Sequence, residues 1–157
     1  MEYFVYHDTY HRIIFEIYEG YRRSSLSSTF HMLNDNITTL RATILPPPHS
    51  LYASRCFYVL FTLPPEYPLK PPALKFITPI LHLQVDPVTE KVCLDLLEKY
   101  WTPSLTLNAV VRGLEHMLGE PNPLDFLNED LLNLWKTNKP LYEEKIRKHT
   151  ETHGIKL

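Results

Sequence analysis

Cys56-Phe57-Tyr58-Val59-Leu60-Phe61-Thr62-Leu63 runs almost continuously apolar and then stops at Pro64-Pro65. Aromatic and β-branched residues dominate it, the composition of a strand, and the near absence of polar side chains is the pattern of one buried on both faces. Upstream, Leu40, Ala42 and Ile44 alternate with Thr39, Arg41 and Thr43, the period-2 signature of a strand, and Pro46-Pro47-Pro48 closes that run. Downstream, Tyr67-Pro68-Leu69-Lys70-Pro71-Pro72 fixes φ and removes backbone donors, so it must be extended or turn-like, and residues 73–76 offer a further strand. Residues 26–76 therefore read as a four-stranded meander with proline-rich corners. The chain has 14 prolines in 157 residues, nearly twice the usual share of roughly 5%.

Helical periodicity flanks this block. Tyr10, Ile13, Ile14, Ile17 and Tyr21 fall on one face of an N-terminal helix, with Asp8 as its N-cap and Gly20 as its stop. Toward the C-terminus Leu107, Val110, Val111, Leu114, Met117 and Leu118 share a second helical face. Residues 129–136 follow Asn128 with acids in the first turn, and a last helix starts near Pro140 with Glu143/Arg147 and Glu144/Lys148 at i, i+4. Helix, strands, an irregular segment and then helices is an α+β order, and the length of the chain suits a single domain over 1–157.

With 44% hydrophobic and 22% charged residues, the chain has the composition of a globular protein with a core. A net charge of -2 supplies no general attraction to nucleic acid or to an anionic membrane, so neither is expected as a partner. The first residues lack the basic and apolar regions of a leader, and no apolar run approaches the length of a membrane span; a cytoplasmic or nuclear location is expected. Two cysteines cannot build a disulfide framework. His7 and His11 have the spacing of two metal ligands, but without further ligands they read as solvated helix residues, and neither a metal nor a cofactor is expected.

The chemistry concentrates around Cys93, in Val92-Cys93-Leu94-Asp95-Leu96-Leu97, followed by Trp101-Thr102-Pro103-Ser104 and by Pro121-Asn122-Pro123-Leu124-Asp125. A thiol between such loops is a candidate nucleophile on a surface groove, whereas Cys56, inside an apolar strand, reads as core. A thioester is far more reactive to amines than an amide, which suits cysteine to carrying an acyl group. No Cys-x-x-Cys motif and no histidine placed as a base for Cys93 accompany it, which disfavours a redox protein or a thiol hydrolase.

These three elements, in this order and spacing, resemble the active-site stretch of the ubiquitin-conjugating enzymes. Glu66-Tyr67-Pro68-Leu69-Lys70-Pro71-Pro72-Ala73-Leu74-Lys75-Phe76 is similar to that family's DYPFKPPKVKF stretch, and His82-Leu83-Gln84 occupies the place of its His-Pro-Asn signature. The resemblance implies an N-terminal helix, a four-stranded antiparallel sheet, an irregular active-site segment and three C-terminal helices. It implies a modifier carried as a thioester on Cys93 and passed to substrate lysine, with Gln84 in the position that stabilises the oxyanion and Asp125 in the position that assists the attacking amine. His82, Asn122 and Trp101 are then structural, with Trp101 anchoring its loop. Pro68 and Leu69, with Thr102, Pro103 and Ser104, correspond to the loops that dock RING-type ligases, and His11 and Arg12 to the helix facing the activating enzyme. The implied partners are ubiquitin or a ubiquitin-like modifier, an activating enzyme, a RING-type ligase and protein substrates.

Several positions depart from the pattern. Gln84 stands for asparagine and Leu83 for proline, the His82 to Cys93 interval is one residue longer around Asp86-Pro87-Val88-Thr89, and Ser54-Arg55 replaces a glycine pair. Two alternatives stay open. Gly113-Leu114-Glu115-His116-Met117-Leu118-Gly119-Glu120-Pro121-Asn122-Pro123 is similar to conjugating enzymes of the neddylation pathway, although their long N-terminal extension is missing here; and a catalytically weak variant would serve as a binding partner or scaffold.

Overall fold

The computed structural model describes residues 2–23 and 30–157, and within the first helix the side chains of 9–19 and 22. Helix α1 (Glu2–Arg23) leads into strands β1 (Phe30–Leu33), β2 (Asn36–Ile44), β3 (Arg55–Thr62) and β4 (Ala73–Phe76). They pair antiparallel in sequence order, which makes the expected meander; residues 26–29 of that expectation lie outside the described residues. Asn34 and Asp35 join β1 to β2 with φ of 53° each, a left-handed two-residue turn of the kind hairpin twist favours. After the irregular segment come α2 (Asp95–Glu98), α3 (Leu107–Gly119), a single 3-10 turn (Pro123–Asp125), α4 (Glu129–Thr137) and α5 (Lys139–His153). A short β5 (Ile155–Lys156) returns to pair with Arg55 and Cys56 of β3, a strand the sequence reading did not include.

Three expectations need correction. Strand β3 is not buried on both faces: Phe57, Val59 and Phe61 are buried, whereas Tyr58 and Leu60 are half-buried and Thr62 is exposed. The outer face is partly covered by long side chains, as where the Arg41 guanidinium lies 4.2 Å from the centre of the Tyr58 ring. Helix α1 neither starts at Asp8 nor stops at Gly20, since both lie inside it. Its inner face is also rotated from the expected one. Ile13 is buried, but Tyr10 and Ile14 are 54% and 41% exposed, and the second inward residue is a carboxylate, Glu16.

The core is the layer between the inner face of the sheet and the helices, with Ile13, Leu40, Phe57, Val59, Phe61 and Leu114 among its members. Phe61 meets Phe30 edge to face, 5.4 Å between ring centres, and Cys56 is buried as expected. Side chains set where each later element begins. Thr106, Asn122, Asn128 and Asn138 each accept a backbone N–H from the turn that follows, closing the starts of α3, the 3-10 turn, α4 and α5; each cap of this kind is worth about 1 kcal/mol. At the other end of α3 a Cβ on Gly119 would fall 2.7 Å from the Pro47 ring, so only glycine lets the helix end lie against the proline corner. Ser54, in place of the glycine pair, sits at φ 76° immediately before β3, a conformation glycine adopts without strain.

Candidate active site

The site is built on a hairpin stitched to the core through His82. Its ring is fully buried and stacked on Tyr52, Nε2 lies 2.9 Å from the Met117 carbonyl, and Nδ1 accepts the Gln84 backbone N–H at 2.9 Å. Only the neutral ring with its proton on Nε2 satisfies both contacts. Burial, partly offset by the Met117 hydrogen bond, holds the His82 pKa at about 4. Neutral His82 therefore contributes stability above the ordinary histidine range, lost as pH falls from about 6.5 to 4. The loss should reach about 3 kcal/mol, because each pKa unit is worth 1.36 kcal/mol. Urea unfolding at pH 7 and pH 4 should show that portion of the acid destabilisation in the native chain and not in His82→Asn, whose stability at pH 7 should be lower.

From Gln84 the chain runs to the turn at Asp86, whose Oδ1 accepts the N–H groups of Val88 and Thr89 at 2.8 and 2.9 Å. This is the turn expected to hold the extra residue. Val85 and Val92 form an antiparallel bridge, and the Cys93 N–H donates to the Gln84 carbonyl at 2.9 Å. The side chain of Gln84 is 4% exposed and spans two elements. Nε2 donates to the Cys93 carbonyl at 3.1 Å, while Oε1 accepts the Asn122 N–H at 2.8 Å. One amide thus ties the cysteine strand to the turn that carries Asp125. Asn122 holds that turn in place: its Oδ1 accepts from the Leu124 N–H and its Nδ2 donates to Asp125 Oδ2, at 3.0 and 2.9 Å.

The Cys93 thiol is partly exposed, and Sγ lies 3.9 Å from Glu98 Oε2 in α2. Its pKa is raised, first by partial burial and then by the negative charges of Glu98, Asp125 and Asp95, with Lys91 opposing. The thiol is protonated near neutral pH, unlike the preformed thiolate of a cysteine hydrolase. A groove of about 520 Å³ lies beside it, with Leu94, Leu96 and Met117 among its apolar walls and Arg112, Gln84 and Asp125 among its polar ones. Sequence reasoning expected a groove but missed Glu98, although Asp95-Leu96-Leu97-Glu98 begins two residues after the cysteine.

Some predicted residues stand apart. Trp101 donates its Nε1–H to the Pro68 carbonyl at 2.9 Å and so brings the Thr102-Pro103-Ser104 loop beside Pro68 and Leu69. The Thr102 and Ser104 hydroxyls are 2.9 Å apart, and Leu69 is 69% exposed. Arg12 does not extend outward as a basic surface group. Its guanidinium contacts Glu16 at 3.3 Å and donates to the Leu105 carbonyl at 2.9 Å. His11 is exposed and lies edge-on to Tyr10, and the side chain of His7 is outside the described residues.

The sequence profile of the ubiquitin-conjugating enzymes matches residues 12–150, which takes in strands β1 to β4, the cysteine and all of the later helices but the end of α5. The chain belongs to the ubiquitin-conjugating enzyme family. As a conjugating-enzyme chain it is 34% identical over 121 residues to ubiquitin-conjugating enzyme E2 13 of Schizosaccharomyces pombe, covering 77% of this chain and 81% of that protein. The conjugating-enzyme fold recurs in the E2 domain of a Toxoplasma gondii ubiquitin-conjugating enzyme, with TM-score 0.86 and 28% identity over 92% of this chain and 97% of that one. A candidate ubiquitin-conjugating enzyme of Plasmodium yoelii matches with TM-score 0.89 and 25% identity over 95% and 97% of the two chains.

Proposed function

We propose that this chain accepts ubiquitin from an activating enzyme as a thioester on Cys93 and transfers it to a substrate lysine. The observation that carries the reading is a partly exposed cysteine whose backbone carbonyl is joined, through one glutamine side chain, to the turn that bears Asp125. In charging, the Cys93 sulfur forms a bond to the modifier's terminal carbonyl carbon while the bond to the activating enzyme's sulfur breaks, and the Cys93 proton passes to that leaving thiol. In discharge, the lysine nitrogen bonds to the same carbon, the C–S bond breaks, and the amine's proton returns the thiol. Because the incoming acyl group is already activated, charging needs no preformed thiolate: the Cys93 proton is given up as its sulfur attacks, and it is regained when the sulfur leaves in discharge.

Asp125 supplies the group that accepts the amine's proton, held toward the site by Asn122. Gln84 acts chiefly by position, with one Nε2 hydrogen beyond the Cys93 bond left for a developing oxyanion. Asp125→Ala should slow single-turnover discharge to free lysine by about 10- to 100-fold near pH 7. The defect should shrink as pH rises toward 10, because an amine of pKa about 10.4 then loses its proton unaided. Discharge rates across that range test the reading; a defect independent of pH removes Asp125 from proton transfer.

Leu69, exposed beside the loop that Trp101 ties down, suits the apolar anchor of a RING-type ligase. Leu69→Ala should reduce ligase-stimulated discharge by about tenfold, the effect of a 1.4 kcal/mol hot spot, while charging stays unchanged. Equal losses in gel-based charging and discharge assays would make the residue structural.

A further inference from the structure

Glu16 is a buried carboxylate that thioester chemistry does not use. It is 4% exposed, and three elements converge on it. Its Oε2 accepts from the Tyr67 hydroxyl and faces Arg12 Nε at 3.3 Å, while Oε1 accepts the Leu107 N–H, the first of α3, at 2.9 Å. Arg12 in turn donates to the Leu105 carbonyl at 2.9 Å, and Thr9 donates to the Tyr67 carbonyl at 3.0 Å. Tyr67 immediately precedes Pro68 and Leu69, and Leu105 immediately follows the Thr102-Pro103-Ser104 loop. Both loops of the proposed ligase surface are therefore fastened at their roots to one pair of charges on α1, and to each other through Trp101, which precedes Thr102 and donates to the Pro68 carbonyl.

We propose that Glu16 is a positioning residue for ligase docking, holding the 68–70 and 102–105 loops at a fixed separation so that Leu69 and Pro103 are presented together. This rests on the ligase reading above. A buried carboxylate is costly unless it is paired and fully hydrogen-bonded, and an apolar residue would hold a helix to a core at least as well. What the charge adds here is direction. One oxygen fixes the Tyr67 end, the other sits at the positive N-terminus of α3, and Arg12 spans the remaining gap to Leu105.

The test uses Glu16→Gln and Tyr67→Phe, the second keeping its ring against Trp101, 6.1 Å between centres. Amide hydrogen exchange is followed at Leu69 and Lys70, which donate to the Glu66 carbonyl, and at Leu105, which donates to Thr102. In Glu16→Gln these three amides should exchange about tenfold faster relative to Val59 and Phe61 of β3, the effect expected when a hydrogen bond to a charged group is lost. In Tyr67→Phe only Leu69 and Lys70 should do so. With a RING domain that stimulates the native chain, KM for that domain should rise about fivefold in Glu16→Gln, with kcat and ligase-free discharge within twofold. Uniform acceleration of all five amides, or none, overturns the positioning role. Loosened loops with an unchanged KM, or a native chain that no RING domain stimulates, overturn the assignment of that role to ligase docking.

Discussion

Cys93→Ala should form no thiol-labile adduct when incubated with ATP, an activating enzyme and ubiquitin, whereas Cys93→Ser should accumulate an adduct that reductant does not remove. Alanine offers no nucleophile. Serine can take the activated acyl group, but the oxyester it forms discharges to amines far more slowly than a thioester, so charged protein is trapped. Cys56→Ala should charge as the native chain does, since Cys56 is 5% exposed within the apolar pairing of β3. The expected contrast is the full signal against none, larger than for any other substitution. Non-reducing and reducing gels read it directly, and a reducible adduct surviving in Cys93→Ala would move the carrier role elsewhere.

The second large effect is expected at Gln84. Its side chain satisfies the Cys93 carbonyl and the Asn122 N–H together, so Gln84→Ala leaves two polar groups without partners and disconnects the cysteine strand from the Asp125 turn. Leaving a buried polar group unpaired costs about 1–3 kcal/mol. Discharge to lysine should slow by about 10- to 100-fold, while charging should change little, because the activating enzyme supplies much of the site in that step. Gln84→Asn, one methylene shorter, can keep only one of the two bonds and should lie between. Its defect should shrink as pH rises toward 10, as for Asp125→Ala, because a displaced Asp125 no longer takes the amine's proton. Faster discharge in Gln84→Asn would mean that the longer arm detunes the site and that the tie to Asn122 is dispensable.

Much of this was legible because proline and periodicity leave few options. Runs ended by Pro46-Pro47-Pro48 and Pro64-Pro65 became β2 and β3, and Asn128 capped its helix as the sequence suggested. What stayed hidden was tertiary. The local sequence shows only Arg12 at i−4; what turns Glu16 inward while Tyr10 and Ile14 stay outside is a hydroxyl and a helix N-terminus brought from two distant segments. The half-exposed face of β3 was masked by composition, since Tyr58 and Leu60 are as apolar on paper as Phe57 and Val59. At the site, Cys93, Asp125 and Gln84 could each be singled out by a motif. That Gln84 uses both ends of its amide on backbone groups depends on a fold that sets Asn122 beside the cysteine strand.

The most direct measurement is the intact mass of the native chain after incubation with ATP, an activating enzyme and ubiquitin, followed by peptide mapping. A gain of one ubiquitin less one water, reversed by reductant and mapped to Cys93, is the predicted result. No reducible adduct with ubiquitin, or one that maps to Cys56, would contradict it.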